Sequence, residues 1–167
     1  MGLLPAILLT EQRRLFTKPE FYFSLILALA LISPNIIWQI ENDFPVLKHM
    51  KELAETQLVH VNRIDFITEQ FFFFIGSIFI IIAAFISFFS YAKFKQYRFL
   101  FWSYIFTLFI FIWLKAKPYY AIGLYPILMA FGSVYLGILF QYGFKSYLRY
   151  AAIVVILLFA YPLIKIA

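Results

Sequence analysis

Apolar residues fill this chain in long blocks, from about 21 to 38, 66 to 92, 99 to 114, 119 to 142 and 147 to 164, divided by short polar links. A helix needs roughly 18 or more apolar residues to cross a hydrocarbon layer of about 30 Å. Inside that layer only a helix or a closed barrel satisfies its own backbone, and these blocks lack the alternation of barrel strands. The pattern predicts an all-α, polytopic transmembrane bundle of about five spans, forming one domain over 1–167. The block at 99–114 is the shortest and is expected to tilt little.

Two segments depart from this pattern. Met1 to Leu9 is apolar but covers only about half a bilayer at about 1.5 Å per residue, and Arg13 and Arg14 follow it rather than precede it. It fits a partial span better than a secretory signal, so the chain is expected to be the C-terminal part of a longer protein. Between 39 and 65, Leu47, Met50, Ala54, Leu58 and Val61 recur at helical spacing, with Lys48, Lys51, Glu52 and Glu55 opposite. That spacing predicts an amphipathic helix on the membrane surface, capped by Asn42 or Asp43 and with Pro45 in its first turn.

Within the spans, Pro34 frees the carbonyl of Ala30, a loss that Ser33 or Asn35 can relieve, and Pro126 frees that of Ile122. Gly76, Ala83 and Ser87, and separately Ser133 and Gly137, are spaced for close helix packing. No internal repeat is visible.

Composition sharpens the picture: 65% of the 167 residues are hydrophobic and 13% are charged. A soluble domain holds nearer half and a quarter. The net charge of +6 comes from short clusters between apolar blocks, which signal topology rather than nucleic-acid binding. Cysteine is absent, which excludes thiol chemistry and disulfides.

Orientation follows from those clusters. With the links at 10–20, 93–98 and 143–149 on the cytoplasmic side, that face carries Arg13, Arg14, Lys18, Lys93, Lys95, Arg98, Lys145 and Arg149. The opposite face carries Lys48, Lys51, Arg63, Lys115, Lys117 and Lys165. Eight cations against six, the eight lying in short links, puts the loops at 39–65 and 115–118 outside the inner or plasma membrane.

Lys115 and Lys117 then stand where a helix begins at the outer face, beside unpaired N–H groups and the positive end of its dipole. Such a place suits a lipid-linked phosphate, whose charge grows as a sugar leaves it. The competing reading is that both ammonium groups snorkel to the headgroups. Glu41 and Asp43, just past Trp38, could act as acid or base, or could serve only capping and solvation. Glu69, at the start of a span, is expected to face a wet cavity or to pair with Arg63. His49 and His60, with Glu52 between them, lack the spacing of a metal site.

The runs Ser33-Pro-Asn-Ile-Ile-Trp-Gln-Ile-Glu-Asn-Asp-Phe-Pro45 and Lys117-Pro-Tyr-Tyr-Ala-Ile-Gly-Leu-Tyr-Pro126 carry a resemblance. Over about 9–137 the chain resembles the later half of the dolichyl-phosphate-mannose protein mannosyltransferase-like family. This is family 39 of the membrane glycosyltransferases, with the C-type fold, and it includes bacterial relatives that modify lipopolysaccharide. The resemblance implies inverting transfer of a sugar from a polyprenyl-phosphate donor to a lipid or protein acceptor at the outer face. It implies that Lys115, Lys117, Tyr119 and Tyr120 line the donor phosphate site, with Trp38, Glu41, Asp43, Glu69 and Tyr125 as candidates for the cavity wall. The family's acidic catalytic residue lies in a first external loop that this chain lacks, so no catalytic residue is assigned, and any divalent metal is expected in that preceding part.

The alternative is a multi-span protein without catalysis, such as a lipid-sugar flippase component or an assembly subunit. A transporter is disfavoured because no span carries a buried charge pair or a clear break. The orientation has a direct check, since the chain has no cysteine of its own. Lys115→Cys is expected to react with a membrane-impermeant maleimide added outside intact cells; protection there, with labelling only in inverted vesicles, would reverse the topology.

Overall fold

The computed structural model describes residues 1–166, with side chains throughout except those of His60, Phe144 and residues 162–166. The His60 ring and the Lys165 ammonium, both weighed above, lie outside the described side chains. Eight α-helices follow one another: α1 Leu3–Leu8, α2 Pro19–Glu41, α3 Pro45–Thr56, α4 Arg63–Phe73, α5 Ile78–Ser90, α6 Arg98–Trp113, α7 Tyr125–Leu139 and α8 Tyr147–Ile166. Short 3₁₀ turns join several of them, and among the described residues there is no strand.

Among the described residues, two helical stretches are long and apolar enough to cross a membrane, α2 with 23 residues and Pro118–Leu139 with 22. The block at 66–92, expected as one span, is instead two helices, α4 and α5, bent by 98°. Phe74 to Ser77 form the break. The Ser77 amide turns back to the Phe74 carbonyl at 2.8 Å, and Gly76 lies so close to Phe159 of α8 that a Cβ there would come within 2.6 Å of the phenylalanine Cβ. Hydropathy cannot register such a break, because Phe-Phe-Phe-Phe-Ile is apolar whichever way it runs. The α6 helix, with 16 residues, reaches about 24 Å at about 1.5 Å per residue, short of a full hydrocarbon layer.

The core lies where α5 and α7 cross, joined by Phe66 of α4 and flanked by α6. Phe66, Ala84, Phe88, Ala121, Tyr125 and Leu128 are buried there. Lipid is as apolar as leucine, so such a crossing gains its energy from close van der Waals fit. Gly132 supplies that fit: a Cβ on it would sit 2.0 Å from the Ile80 carbonyl oxygen. The expected pair Ser133 and Gly137 does not serve in this contact, Ser133 being exposed and Gly137 having nothing within 4 Å of its Cβ position. The small surface that matters is one residue to the side. Ala83 and Ser87 are buried on α5, in keeping with their spacing.

At the periphery, α1 packs on α6, where Gly2 abuts the Ser103 carbonyl and Thr107, and Ala6 is fully buried. None of the residues of α2 is buried. Ser33 Oγ donates to the Ala30 carbonyl at 2.8 Å, relieving the acceptor that Pro34 orphans. The α3 helix has Pro45 in its first turn, but its N-cap is Phe44, in a left-handed conformation, rather than Asn42 or Asp43. Gln39 takes over the expected capping role, its Oε1 accepting from the Val46 amide at 3.3 Å, while Asn42 instead donates back to the Trp38 carbonyl.

Gly132→Ala is expected to destabilise the detergent-solubilised protein by about 1–3 kcal/mol or more, because backbone must move to admit the methyl. Gly123→Ala, with nothing within 4 Å of the new Cβ, should stay within about 0.5 kcal/mol in the same thermal unfolding measurement. Equal midpoints for the two variants would contradict the crossing.

Candidate functional site

The α6 helix ends in a way that sets the geometry of everything after it. Ala116 N–H reaches the Phe111 carbonyl at 2.8 Å and Lys115 N–H reaches that of Ile112 at 3.3 Å. This six-to-one closure puts the intervening residue in the left-handed region, a place usually taken by glycine. Here it is Lys115, with φ of +51°. The same closure ends α2, where Phe44 N–H reaches the Gln39 carbonyl at 2.7 Å and Asp43 has φ of +56°. A side chain in that region costs on the order of 1 kcal/mol, and such positions cluster at functional sites.

Beyond this corner, Lys117 is half-buried and its Nζ donates to Gln57 Oε1, from the turn after α3. Pro118–Leu124 is a 3₁₀ turn in which the Tyr119 and Tyr120 rings meet edge to face, with centroids 4.7 Å apart. The Ile122 carbonyl that Pro126 would have orphaned accepts from the Tyr125 amide. Arg63, opening α4, donates through Nε to the Ile112 carbonyl at 3.3 Å, which brings a third cation to the same corner. Among the described residues, none of Arg63, Lys115 and Lys117 has a carboxylate within 4.0 Å.

A cavity of about 260 Å³ opens between α4, α5, α6 and α7. Its wall is largely hydrocarbon, from Phe66, Ile81, Phe85, Leu108 and Ile112, with Gln70, Tyr104 and Tyr125 as the polar members. Gln70 Nε2 donates to the Phe66 carbonyl at 3.3 Å and to the Pro118 carbonyl at 3.0 Å. Its Oε1 therefore accepts, from the Tyr125 hydroxyl at 3.0 Å. With the Tyr125 proton so committed, the Tyr104 hydroxyl, 3.1 Å away, is the donor to Tyr125. Gln70, Tyr125 and Tyr104 thus satisfy one another, so the cavity presents mainly hydrocarbon to whatever enters it. The network also ties α4 to the residue after Lys117, while Arg63 ties it to the turn before Lys115.

The sequence-expected residues distribute unevenly around this corner. Lys115, Lys117, Tyr119 and Tyr120 lie together, and Tyr125 forms part of the cavity wall. Trp38, Glu41 and Asp43 sit exposed at the end of α2, with Asp43 3.9 Å from Lys48. Glu69 is exposed on α4 and makes no ion pair with Arg63. Among the described residues, no three His, Asp or Glu side chains gather as a metal site requires.

Gln70, Tyr104 and Gln57 were not anticipated. The signal for the first two was present, a carboxamide and a hydroxyl set inside apolar blocks where an unpaired polar group is costly. Compared with family models, curated proteins and solved structures, the chain matches none.

Removing the Tyr125 hydroxyl leaves Gln70 Oε1 without its donor in an apolar wall. Tyr125→Phe is expected to cost about 1–3 kcal/mol in thermal unfolding, and pairing it with Gln70→Leu should cost less than the sum of the two single changes. Strict additivity would mean that the two side chains do not interact.

Proposed function

We propose that the chain is the donor-lipid portion of a membrane glycosyltransferase that moves a sugar from a polyprenyl-phosphate carrier to a lipid or protein acceptor at the outer face. The observation that carries this reading is a corner bearing Arg63, Lys115 and Lys117, none with a carboxylate within 4.0 Å among the described residues, joined to an apolar cavity through Ile112, whose carbonyl accepts from Arg63 and from the Lys115 amide. An anionic head on a hydrocarbon tail is the chemistry that such a pair complements. The resemblance of Lys117-Pro-Tyr-Tyr to the family's phosphate-side segment points the same way.

In this reading the transfer is a substitution at the anomeric carbon through a sugar cation, with the lipid phosphate leaving, as in glycoside hydrolysis with a hydroxyl in place of water. Lys115 and Lys117 hold the departing phosphate, and the 3₁₀ turn presents Tyr119 and Tyr120 beside it. About five passages through the inner or plasma membrane are retained, with α4 and α5 counting as one broken passage and α6 as a short one. Loops 39–65 and 115–118 face outward.

A second reading has its own support. Among the described residues no carboxylate lies within 4.0 Å of Lys115 or Lys117, and Glu41 and Asp43 lie at the end of a helix with no buried residue. That arrangement favours a subunit that holds or passes on a lipid-linked sugar without transferring it.

Polyprenyl phosphate is expected to raise the thermal midpoint of the purified protein where the corresponding polyprenol does not, and Lys115→Ala/Lys117→Ala should abolish the difference. If phosphate and alcohol act alike on the parent chain, the phosphate site is refuted. Release of the sugar to an acceptor by the complete enzyme, lost in the double variant, selects transfer; carrier binding without release selects the second reading.

A further inference from the structure

At the far end of α7 from Lys115, a second crevice of about 230 Å³ runs between α5, α7 and α8. Phe79, Ile80, Leu136, Ile153 and Ile156 line it, and Arg149 stands in its wall. Two features separate it from an ordinary packing gap. Gly137 faces it with nothing within 4 Å of its Cβ position, so the wall stands back from the helix at this point. Arg149 Nε donates to the Phe140 carbonyl at 3.0 Å, which fixes the guanidinium plane and leaves its two terminal nitrogens for another acceptor.

That acceptor does not come from nearby chain. Every Asp and Glu lies at or before Glu69, whereas Lys93, Lys95, Arg98, Lys115, Lys117, Lys145, Arg149 and Lys165 all follow it. Among the described residues, Arg149 and its neighbour Lys145 have no carboxylate within 4.0 Å. A planar guanidinium matches two phosphate oxygens at once, and anionic lipid supplies phosphate at the depth where an apolar helix meets water.

We propose that this crevice is a binding site for an anionic phospholipid, one acyl chain lying along Gly137 between α5, α7 and α8 and the headgroup phosphate held by Arg149, with Lys145 adding charge. The site is separate from the Lys115 corner and does not depend on its assignment. It needs only that these helices lie in a bilayer, from which a lipid chain enters the crevice sideways. An alkyl chain replaces open space beside Gly137 with contact, and the phosphate neutralises an exposed cation that has no carboxylate within 4.0 Å among the described residues.

The test is native mass spectrometry of the protein released from neutral detergent after incubation with dioleoyl phosphatidylglycerol or dioleoyl phosphatidylcholine. The parent chain is expected to retain phosphatidylglycerol about tenfold more than phosphatidylcholine, the margin of a charge-assisted contact. Gly137→Leu should lower phosphatidylglycerol retention by about tenfold with the thermal midpoint of the lipid-free protein unchanged, because its Cβ meets nothing within 4 Å and the rest of the side chain extends into the open crevice. Arg149→Gln should remove the preference between the two lipids and Arg149→Lys should keep most of it. Glycerol phosphate in excess should fail to compete, since it lacks the chain. Equal retention of both lipids by the parent, undiminished phosphatidylglycerol on Gly137→Leu, or displacement by glycerol phosphate alone would each overturn the proposal.

Discussion

The carboxamide of Gln70 carries more of this architecture than any other single group. A broken apolar segment has no continuous hydrogen-bond ladder to keep its halves in register, so α4 must be held in place from outside. Gln70 does this with both ends of its amide, gripping the Pro118 carbonyl on one side and accepting from Tyr125 on the other. In water such bonds trade against solvent and net little; inside an apolar wall the alternative is an unpaired group, which makes the correct geometry strongly preferred. The lysine-bearing corner and the cavity beside it are therefore fixed by one network, and the cavity can remain hydrocarbon-lined because its polar neighbours satisfy each other.

Charge is distributed along the chain as unevenly as polarity. All the carboxylates fall in the first 69 residues, and eight cations follow without one. Two of these cations turn to backbone carbonyls instead, Arg98 to Phe88 and Arg149 to Phe140, as does Arg63, earlier in the chain, to Ile112. Each carbonyl engages one Nε and leaves the rest of the guanidinium directed elsewhere. A protein built this way leaves the counter-charge of its later half to groups outside that half.

Much of this was legible in the linear pattern. The apolar blocks located α2, α6 and the stretch ending in α7; Pro34 with Ser33 anticipated a hydrogen bond now seen at 2.8 Å; and of the spacing Leu47, Met50, Ala54, Leu58 and Val61, the first three fall on α3, which ends at Thr56 before the last two. What escaped was whatever hydropathy weighs identically in two conformations. The run from Phe71 to Ile75 is as apolar bent as straight, so the turn between α4 and α5 was invisible, although Gly76 and Ser77 were its markers. The Gly132 contact escaped because a period-four rule selects pairs, Ser133 with Gly137, while a helix crossing needs one point of close approach. At the candidate site, Lys115 and Lys117 stood out because charges are rare in such a sequence. Gln70 and Tyr104 did not, since a neutral polar residue in an apolar block acquires meaning only when its partners, 21 to 55 residues away, come into place.

The isolation of α2 bears on how the molecule is assembled. A helix of 23 residues with no buried side chain and its internal proline already compensated draws nothing from the remainder of the bundle. Its form requires none of the segments that make up α4 to α7, whereas those segments, short or broken, pack on one another around a shared core. The polypeptide thus divides into one helix that needs no partner and a cluster whose parts need one another, with the amphipathic α3 between them.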